Sequence, residues 1–348
     1  MTSELASKPD DSQTTKLNVL VAGGAGYIGS HTAKVLSQSG FTPVVLDNLS
    51  TGYRDAVRFG PFFEVDITDA GRIARIIDEY QPAGAILFAG YIAVGESTGD
   101  PRKYYDNNVA GALSFLNALV DASVRNVVFS SSAAVYGLQE RVPIPEDSPL
   151  DPLSPYAESK LFIEQVLRWY ASAHGLSSAS LRYFNAAGAD PEGGLGERHN
   201  PETHLIPLAI RAAMGGKPLS IFGTDYPTPD GTAIRDYIHV TDLAEGHVLA
   251  LRHLMDAAEP LALKLNLGTG QGHSVKEVVQ AVERIGGVNV PASFGPRREG
   301  DTPVLVADSS AAKSLLGWTP RYSDLDTIVR TAWAWHRSHA SREPLQSA

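Results

Sequence analysis

A glycine-rich turn between an apolar strand and a helix constrains the fold of this chain more than any other feature. In "LNVLVAGGAGYIGSHTAKVLSQSG", the apolar run that begins at Leu17 leads into Gly23, Gly26 and Gly29, spaced GxxGxxG, and then into a helical pattern. Glycine lets the backbone turn tightly and approach a pyrophosphate, and the following helix N-terminus supplies N–H donors and the positive end of its dipole. The turn therefore predicts a dinucleotide-binding βαβ unit, although a glycine turn without a ligand has the same pattern.

Short apolar strands and helical patterns alternate along the rest of the first half of the chain. The strand patterns are "TPVVLDNLS", "FFEVDITD", "PAGAILFAG", "RNVVFSSS" and "SSASLRYFNAAG", separated by helical patterns such as "AGRIARIIDEYQ". Strands that are apolar throughout and alternate with helices predict a parallel sheet covered on both faces. The predicted fold class is therefore α/β, with a Rossmann-type doubly wound parallel sheet.

The chain changes character after Asn185. The segments "GADPEGGLGERHNPETH" and "GTDYPTPDGTAIRDY" are rich in glycine, proline and charge, and long loops of this kind are more often functional than decorative. We predict a disordered tail over residues 1–16, a dinucleotide-binding Rossmann domain over 17–185, and a smaller mixed α/β domain over 186–348. The last domain is expected to bind mainly the substrate, with some of its segments returning to the Rossmann domain.

The charge balance and the lack of cysteine exclude several classes of function. The net charge of −10 argues against nucleic acid or an anionic membrane as a partner, since both favour basic surfaces. No apolar run reaches the roughly 18 residues of a membrane span, and the polar start lacks the apolar core of a signal peptide. The absence of cysteine excludes disulfides and thiolate metal sites and is compatible with the cytoplasm. We expect no metal.

An aspartate at the end of the second predicted strand indicates which dinucleotide the turn binds. Asp47 closes "TPVVLD", and a carboxylate at that position accepts hydrogen bonds from both ribose hydroxyls of the adenosine half. The same carboxylate repels a 2′-phosphate, so Asp47 predicts NAD rather than NADP. The alternative is a simple turn aspartate before "NLSTG".

A tyrosine and a lysine stand four residues apart in "SPYAESKLFIEQVLRWY", at Tyr156 and Lys160. Residues at this spacing share one face of a helix. Ser132 ends the strand pattern "NVVFSSS", and strand ends are where ligands bind in such sheets. Lys160 and a positive nicotinamide would lower the pKa of Tyr156 from roughly 10, and Ser132 would hydrogen-bond the substrate oxygen. The alternative is a surface pair with an unrelated buried serine.

Ten segments between Leu17 and Trp318 carry a resemblance to a known family. In order they are "GGAGYIGSHT", "LDNLSTG", "FAGYIAVGES", "YYDNNV", "FSSSAAVYG", "SPYAESK", "RYFNAAGA", "IFGTDYPTPDGTAIRDYIHV", "LNLGTG" and "PRREGD". Together they resemble the extended short-chain dehydrogenase/reductase family and, within it, the UDP-glucose 4-epimerases. The resemblance implies inversion of C4 of a UDP-hexose through a 4-keto sugar, by reversible hydride transfer to tightly bound NAD.

The resemblance also implies which residues contact NAD. The predicted cofactor residues are Gly23, Gly26, Tyr27, Ile28 and Gly29 at the pyrophosphate; Asp47, Asn48, Leu49, Ser50, Thr51 and Gly52 at the adenosine ribose; Asp66 and Ile67 at the adenine; and Phe88, Ala89, Gly90, Ile92, Asn107 and Phe184 along the rest of the dinucleotide. Ser132, Tyr156 and Lys160 are the predicted catalytic residues, and they too border the cofactor.

The substrate residues come from the same resemblance. Besides Ser132 and Tyr156, they are Asn185, His204, Leu205, Ser220, Ile221, Phe222, Arg235, Arg298, Asp301 and Leu305. Two arginines among them agree with the chemistry, because guanidinium groups match phosphate oxygens bidentately. The resemblance further implies a homodimer formed by the helices near Tyr105 and Phe162.

Because of three departures from the family pattern, the resemblance does not determine which sugar the UDP-linked substrate carries. Ile92 stands where many members have lysine, His204 where some have asparagine, and Leu305 where some glucose-specific members have the bulkier tyrosine. UDP-xylose/UDP-arabinose 4-epimerase and UDP-N-acetylglucosamine 4-epimerase are therefore alternatives. A nucleotide-sugar 4,6-dehydratase is disfavoured because alanines follow Ser132 where dehydratases carry Asp-Glu. A non-enzymatic NAD-binding regulator is the alternative from another class.

Overall fold

The computed structural model describes residues 16–298 and 301–339. The first half contains β1 (Asn18–Ala22), α1 (Tyr27–Gln38), β2 (Thr42–Asp47), β3 (Phe62–Glu64), α2 (Ala70–Tyr80), β4 (Gly84–Leu87), α3 (Val94–Gly99), α4 (Pro101–Tyr104), α5 (Ala112–Asp121), β5 (Asn126–Ser130), α6 (Pro155–His174) and β6 (Ser177–Tyr183). Short 3₁₀ turns lie at Arg54–Ala56 and Ala133–Tyr136, and a π-helical segment, Tyr105–Gly111, joins α4 to α5.

In the second half of the chain, strands and helices do not alternate regularly. It contains β7 (Asn185–Ala187), α7 (Leu205–Ala213), β8 (Leu219–Phe222), β9 (Ile234–Arg235), β10 (Tyr237–His239), α8 (Val240–Asp256), β11 (Ala262–Leu267), β12 (His273–Ser274), α9 (Val275–Gly286), β13 (Ala292–Gly295), β14 (Val304–Leu305), α10 (Ser310–Leu316) and α11 (Leu325–His339). Among the described residues, no helix is both long enough and apolar enough to cross a bilayer.

Seven parallel strands form the central sheet, in the order β11-β6-β5-β4-β1-β2-β3. The chain moves outward from β1 to β3 on one side and then crosses over to β4 on the other side of β1. The crevice at the carboxyl ends of β1 and β4 is therefore the switch point where ligands bind in such sheets. The predicted Rossmann-type α/β fold is confirmed.

Alternating side chains of each central strand enter two separate cores, one on each face of the sheet. Leu20 in β1 packs into the core covered by α2, α5 and α6, whereas Val19 and Val21 pack into the core covered by α1 and α8. This double burial is the reason that the strands are apolar throughout. A third core, built from α7, α9, α11 and β8, lies in the second half of the chain.

Two strand boundaries differ from those predicted. β5 ends at Ser130, so Ser132 is not a strand residue; its hydroxyl instead caps the 3₁₀ turn, accepting from the Ala134 N–H at 3.1 Å. The pattern "SSASLRYFNAAG" is two strands, because β6 joins the central sheet and β7 pairs with β10 in a separate two-stranded sheet. The backbone bends between them, at Phe184, from one sheet into the other.

Segments of the second half return to the first. β11 lies at the edge of the central sheet beside β6, and the α8 residues Leu243 and Leu251 share a core with Leu36 of α1. The division of the chain at residues 185 and 186 stays a prediction, as does the disordered tail, of which residues 1–15 lie outside the described residues.

A buried ion pair ties α6 to the central sheet. Nε and Nη2 of Arg182, in β6, donate to the two carboxylate oxygens of Glu164 at 2.9 and 2.6 Å, and both side chains are 1% exposed. Ser131 also donates to Glu164, at 2.6 Å. Because α6 carries Tyr156 and Lys160, this pair fixes the helix against the strand beside the predicted site.

We predict that Glu164→Gln lowers the free energy of unfolding by about 3–5 kcal/mol, because the Arg182 charge would stay buried without a counterion. The measurement is urea-induced unfolding followed by tryptophan fluorescence. Asp106→Asn is the matched control, since it breaks the exposed Arg102–Asp106 pair and should cost no more than about 1 kcal/mol. Equal effects of the two substitutions would contradict the assigned role of the buried pair.

Candidate active site

The glycine turn approaches the end of β4 so closely that side chains cannot fit there. A Cβ on Gly23, whose φ is +82°, would lie 2.5 Å from the backbone N of Ala89, and a Cβ on Gly29 would lie 2.2 Å from the Gly23 carbonyl oxygen. Gly26 precedes α1 in extended conformation with no side-chain cap among the described residues. The N–H groups at the start of α1 are thus left to a ligand, as a pyrophosphate site requires.

Asp47 lies beside this turn at the end of β2. Its buried carboxylate accepts from the Ala25 N–H at 2.9 Å and from the Leu49 N–H at 2.8 Å. Burial raises its pKa, and these two hydrogen bonds oppose that rise. The following loop folds back over the turn, since a Cβ on Gly52 would lie 2.9 Å from that of Ala25. This arrangement fits a ribose held between strand and turn.

The rest of the predicted adenosine site is a set of exposed polar groups at the ends of β2 and β3. Asn48 donates to Asp66 at 2.7 Å, and Asp66 also accepts from the backbone and hydroxyl of Thr68. Ser50 and Thr51 are exposed beside them. The Ile67 side chain instead packs into the first core, so any contact of Ile67 with a ligand would be made by its backbone.

Asn108, which the sequence analysis did not single out, holds the loop after β4. Its side-chain amide bonds both the N–H and the carbonyl of Tyr91 at 2.9 Å and accepts from Asn107 at 2.9 Å. The predicted residue Asn107 is its half-buried neighbour in the π-helical segment. Gly90 lies between Asn108 and Lys160. A Cβ added to Gly90 would lie 3.2 Å from Oδ1 of Asn108 and 3.7 Å from Nζ of Lys160. Only the doubled asparagine in "YYDNNV" signals this role.

Ser132, Tyr156 and Lys160 come together at the carboxyl ends of β4 and β5. Tyr156 and Lys160 are 8% and 5% exposed, and the Lys160 ammonium lies 5.8 Å from the centre of the Tyr156 ring. The Ser132 hydroxyl lies close enough to the Tyr156 phenol to lower its pKa. Lys160 donates to the Ser130 carbonyl at 2.8 Å, a contact that residue types alone could not reveal. The predicted catalytic residues therefore form one buried cluster.

The described residues raise the pKa of Tyr156 overall. Burial raises it, and the nearby Ser132 hydroxyl lowers it only in part. Burial also lowers the pKa of Lys160 to about 8. The lowering of the Tyr156 pKa that we expected from Lys160 is therefore not produced by the described residues alone. A cation bound next to the phenol would supply it, and an oxidised nicotinamide ring is one.

An apolar wall stands next to Ser132. Phe184 and Leu305 pack on the cluster formed by Ala133, Val135, Tyr136 and Ile144. Leu305, in β14, pairs with Arg235 in β9, so this wall continues into a polar edge.

The polar edge carries five of the predicted substrate residues. Arg235 forms an ion pair with Asp301, which also accepts from the Tyr226 hydroxyl at 3.2 Å. The Arg298 guanidinium lies over the Phe222 ring at 4.3 Å, and Asn185 donates to the Asp236 carbonyl at 3.2 Å. Two guanidinium groups therefore lie along this edge, since the Asp301 N–H donates to the Arg298 carbonyl at 3.3 Å.

The remaining predicted contacts vary in their exposure. Ser220 is exposed on β8, the side chain of Ile221 is buried in the third core, and Leu205 begins α7. Ile92 is 46% exposed in the loop after β4. A ligand would meet Ile221 through its backbone.

His204 lies in a charged cluster that sequence reasoning missed. Its Nδ1 is 2.8 Å from Glu202 and 3.0 Å from Glu197, and His199 lies on the other side of the same carboxylates. Burial would lower the pKa of both histidines, but the carboxylates outweigh it and raise the pKa to about 9 for His199 and about 10 for His204. The spacing E-x-H-x-x-E-x-H was the available signal.

Comparison with known proteins agrees with this geometry. The model of the NAD dependent epimerase/dehydratase family matches residues 19–268. The chain belongs to this family. It is 49% identical over 319 residues to a UDP-glucose 4-epimerase of Rhizobium leguminosarum bv. trifolii, a match that covers 91% of this chain and 97% of that protein.

Two solved structures of family members resemble the fold closely. UDP-glucose 4-epimerase from Brucella ovis, in complex with NAD, is 53% identical with a TM-score of 0.89, covering 91% of this chain and 97% of that one. The enzyme from Stenotrophomonas maltophila, with bound NAD and formylated UDP-arabinopyranose, is 42% identical with a TM-score of 0.90, covering 94% and 100%.

We predict that Gly29→Ala weakens dinucleotide binding by about tenfold or more, because its Cβ would meet the Gly23 carbonyl oxygen and push the turn out of place. The measurement is the amount of nucleotide released on denaturing the purified protein, with affinity from titration of stripped protein. Gly99→Ala is the control, since its Cβ would meet no atom within 4 Å. Wild-type nucleotide content in Gly29→Ala would refute the assigned role of the turn.

Proposed function

We propose that this member of the family is a UDP-glucose 4-epimerase that inverts C4 of a UDP-hexose and uses tightly bound NAD. The observation that carries the proposal is the buried cluster of Ser132, Tyr156 and Lys160 at the switch point, directly beside a glycine turn. The names of the relatives, at 46–49% identity over more than nine-tenths of the chain, support the same reaction.

The residues present fit NAD. The space left by Gly23 and Gly29 and the uncapped start of α1 would hold its pyrophosphate, and Asp47 would bond its adenosine ribose. Because the Asp47 carboxylate is buried, a 2′-phosphate beside it would be repelled by the carboxylate and would also lose hydration, which favours NAD over NADP. Bound NAD supplies a reversible acceptor for the hydride on C4 of the sugar.

Tyr156 would move the proton of the reaction. Its phenol, ionised next to Lys160 and the cofactor's positive charge, accepts the proton of the sugar 4-hydroxyl as the 4-keto sugar forms. The Ser132 hydroxyl accepts from the Ala134 N–H, which leaves its own hydrogen available for donation to the sugar oxygen. After the 4-keto sugar turns about its phosphate linkage, the hydride would return to the opposite face of C4 and Tyr156 would return the proton to O4, so that nothing is consumed.

The second half of the chain would hold the nucleotide sugar. Arg235 and Arg298 would bind the diphosphate, since an acidic protein needs local cations for such a ligand. Asn185, Leu205 and the segment Ser220–Phe222 are the neighbouring contacts that we propose. These assignments rest on the family pattern and on the placement of these residues around one edge of the site.

The sugar itself is the least constrained part of the proposal. Leu305 lies on the apolar wall beside Ser132, and a leucine leaves more room than a tyrosine for an N-acetyl group. Ile92 removes a cation near the cofactor, and relatives that act on UDP-pentoses also vary in this stretch. UDP-N-acetylglucosamine and UDP-xylose/UDP-arabinose are therefore the alternative substrates. The wall continues with Ala133 and Ala134, which offer no acid or base for a dehydratase, and the intact cluster speaks against a non-enzymatic regulator.

Further proposals concern the oligomeric state, the cellular location and the metabolic role of the enzyme. We propose a homodimer formed by the helices that carry Tyr105, Phe162 and Trp169, whose side chains are 40%, 46% and 63% exposed. An exposed apolar face of this kind is a common basis of a twofold interface. A cytoplasmic location and a role in galactose metabolism follow from the proposed reaction and remain proposals.

We predict that Tyr156→Phe lowers kcat for UDP-galactose epimerisation by roughly 10²–10⁴-fold, because the proton acceptor is removed. Bound NAD and the circular-dichroism spectrum should stay as in the wild type. Tyr170→Phe is the control, since that hydroxyl lies on the same helix but bonds Asn117 on the surface. A Tyr156→Phe enzyme that keeps most of its activity would exclude Tyr156 as the proton acceptor.

Leu305→Tyr should narrow the sugar pocket. We predict that the wild type converts both UDP-galactose and UDP-N-acetylgalactosamine, and that Leu305→Tyr reduces the ratio of kcat/KM for the N-acetyl sugar to that for UDP-galactose by about tenfold or more. Leu305→Met, which conserves volume, should leave the ratio near the wild-type value. A wild-type enzyme that turns over UDP-galactose but no N-acetyl sugar would rule out the wider pocket.

A further inference from the structure

Four side chains of the loop between β7 and α7 converge on one point. Glu197, His199, Glu202 and His204 each direct one ligand-type atom inward, and these atoms all lie within 4.8 Å of one another. His199 Nδ1 lies 3.2 Å from Oε1 of Glu197 and 3.8 Å from Oε2 of Glu202. His204 Nδ1 lies 3.0 Å from Oε1 of Glu197 and 2.8 Å from Oε1 of Glu202. Both imidazoles thus present the same nitrogen to the same pair of acids.

Two of the atoms that point into this cluster have no hydrogen-bond partner. The Glu202 side chain is 1% exposed, and its Oε1 accepts from the backbone N–H groups of Thr203 and His204 at 2.8 and 2.9 Å. Its Oε2 and the Nδ1 of His199 are buried and form no hydrogen bond within the described part of the chain, although Nδ1 lies 3.2 Å from Oε1 of Glu197 and 3.8 Å from this Oε2. Buried polar atoms are nearly always hydrogen-bonded, so a carboxylate oxygen and an imidazole nitrogen that face each other without a hydrogen bond require an explanation.

We propose that Glu197, His199, Glu202 and His204 bind a divalent transition-metal ion of the Zn²⁺ class. Ligand atoms at about 2.0–2.1 Å from a tetrahedral ion lie roughly 3.3–3.4 Å apart, and the observed separations of 2.8–3.8 Å scatter around that value. Imidazole and carboxylate are ligands that Zn²⁺ accepts, and four protein ligands make a closed, structural site.

The charges of the cluster balance with such an ion. Glu197 and Glu202 are 5% and 1% exposed, and two buried carboxylates are costly without compensation. One divalent cation neutralises both and leaves each imidazole uncharged, whereas an ion-pair network needs two protonated histidines whose ring centres are 4.8 Å apart. The ion would also bind the two atoms that form no hydrogen bond among the described residues.

The site would fix the loop to the glycine turn and to α7. His199 contacts the Tyr27 ring edge-on at 6.3 Å, and the Tyr27 hydroxyl donates to the Gly188 carbonyl at 2.7 Å, at the other end of the same loop. His204 directly precedes α7. The proposal is independent of the proposed function, and it makes His204 a metal ligand rather than the substrate contact that the family pattern implied.

The test is a metal titration of the full-length protein after treatment with a chelator and gel filtration. Co²⁺ is the probe, because tetrahedral Co²⁺ has intense visible absorption that reports its geometry. We expect one equivalent per chain, displacement of Co²⁺ by Zn²⁺, and a higher melting temperature with metal than without. Elemental analysis of protein purified without any chelator should show a bound transition metal.

Matched variants assign the site. His199→Gln and Glu202→Gln should each weaken Co²⁺ binding by about tenfold or more. His273→Gln, at a half-buried histidine 4.0 Å from Glu277 and outside the cluster, should bind as the wild type does. The absorption of the wild-type Co²⁺ protein decides the question even if a variant fails to fold. Three results would overturn the proposal in favour of an ion-pair network. They are octahedral or substoichiometric binding of Co²⁺, a melting temperature that does not change when metal is added, and wild-type affinity for Co²⁺ in both cluster variants.

Discussion

The close approach of the glycine turn to the end of β4 is the constraint on which the rest of the site depends. Gly23 lies so near Ala89 that even a methyl group would collide with the backbone. Because of this contact, the start of α1, the carboxylate of Asp47 and the loop after β4 open onto one crevice. The crossover of the chain from β3 to β4 places that crevice between β1 and β4, where a dinucleotide can lie across the ends of the strands.

Burial governs the chemistry next to that crevice. The Tyr156 phenol and the Lys160 ammonium lie in an environment that penalises charge on either of them, which raises the pKa of the first and lowers that of the second. An additional positive charge next to the phenol would therefore favour its ionised form. The proton acceptor that we propose becomes active when the oxidised cofactor is in place, which couples the chemistry to cofactor binding.

The second half of the chain contributes specificity through irregular segments held by polar contacts. Arg235 and Asp301 pair across one edge, Leu305 continues the apolar wall beside Ser132, and the Glu197–His204 loop lies against Tyr27 of the glycine turn. None of these segments depends on a long element of regular structure. Their positions come from contacts between residues far apart in the chain, which is the reason that the sugar is harder to assign than the cofactor.

The sequence by itself determined the α/β class, the glycine turn, Asp47 at a strand end, and the pairing of Tyr156 with Lys160 on one helix face. Each of these is a local pattern whose period or spacing specifies the structure directly. Tertiary structure alone decided that β11 joins the central sheet, that Phe184 divides two strands, that the Ser130 carbonyl receives Lys160, and that four charged side chains of one loop converge. These outcomes depend on packing and burial between residues that are far apart in the chain. A short stretch of sequence does not specify which distant residues it will contact, so these contacts could not be predicted from local patterns.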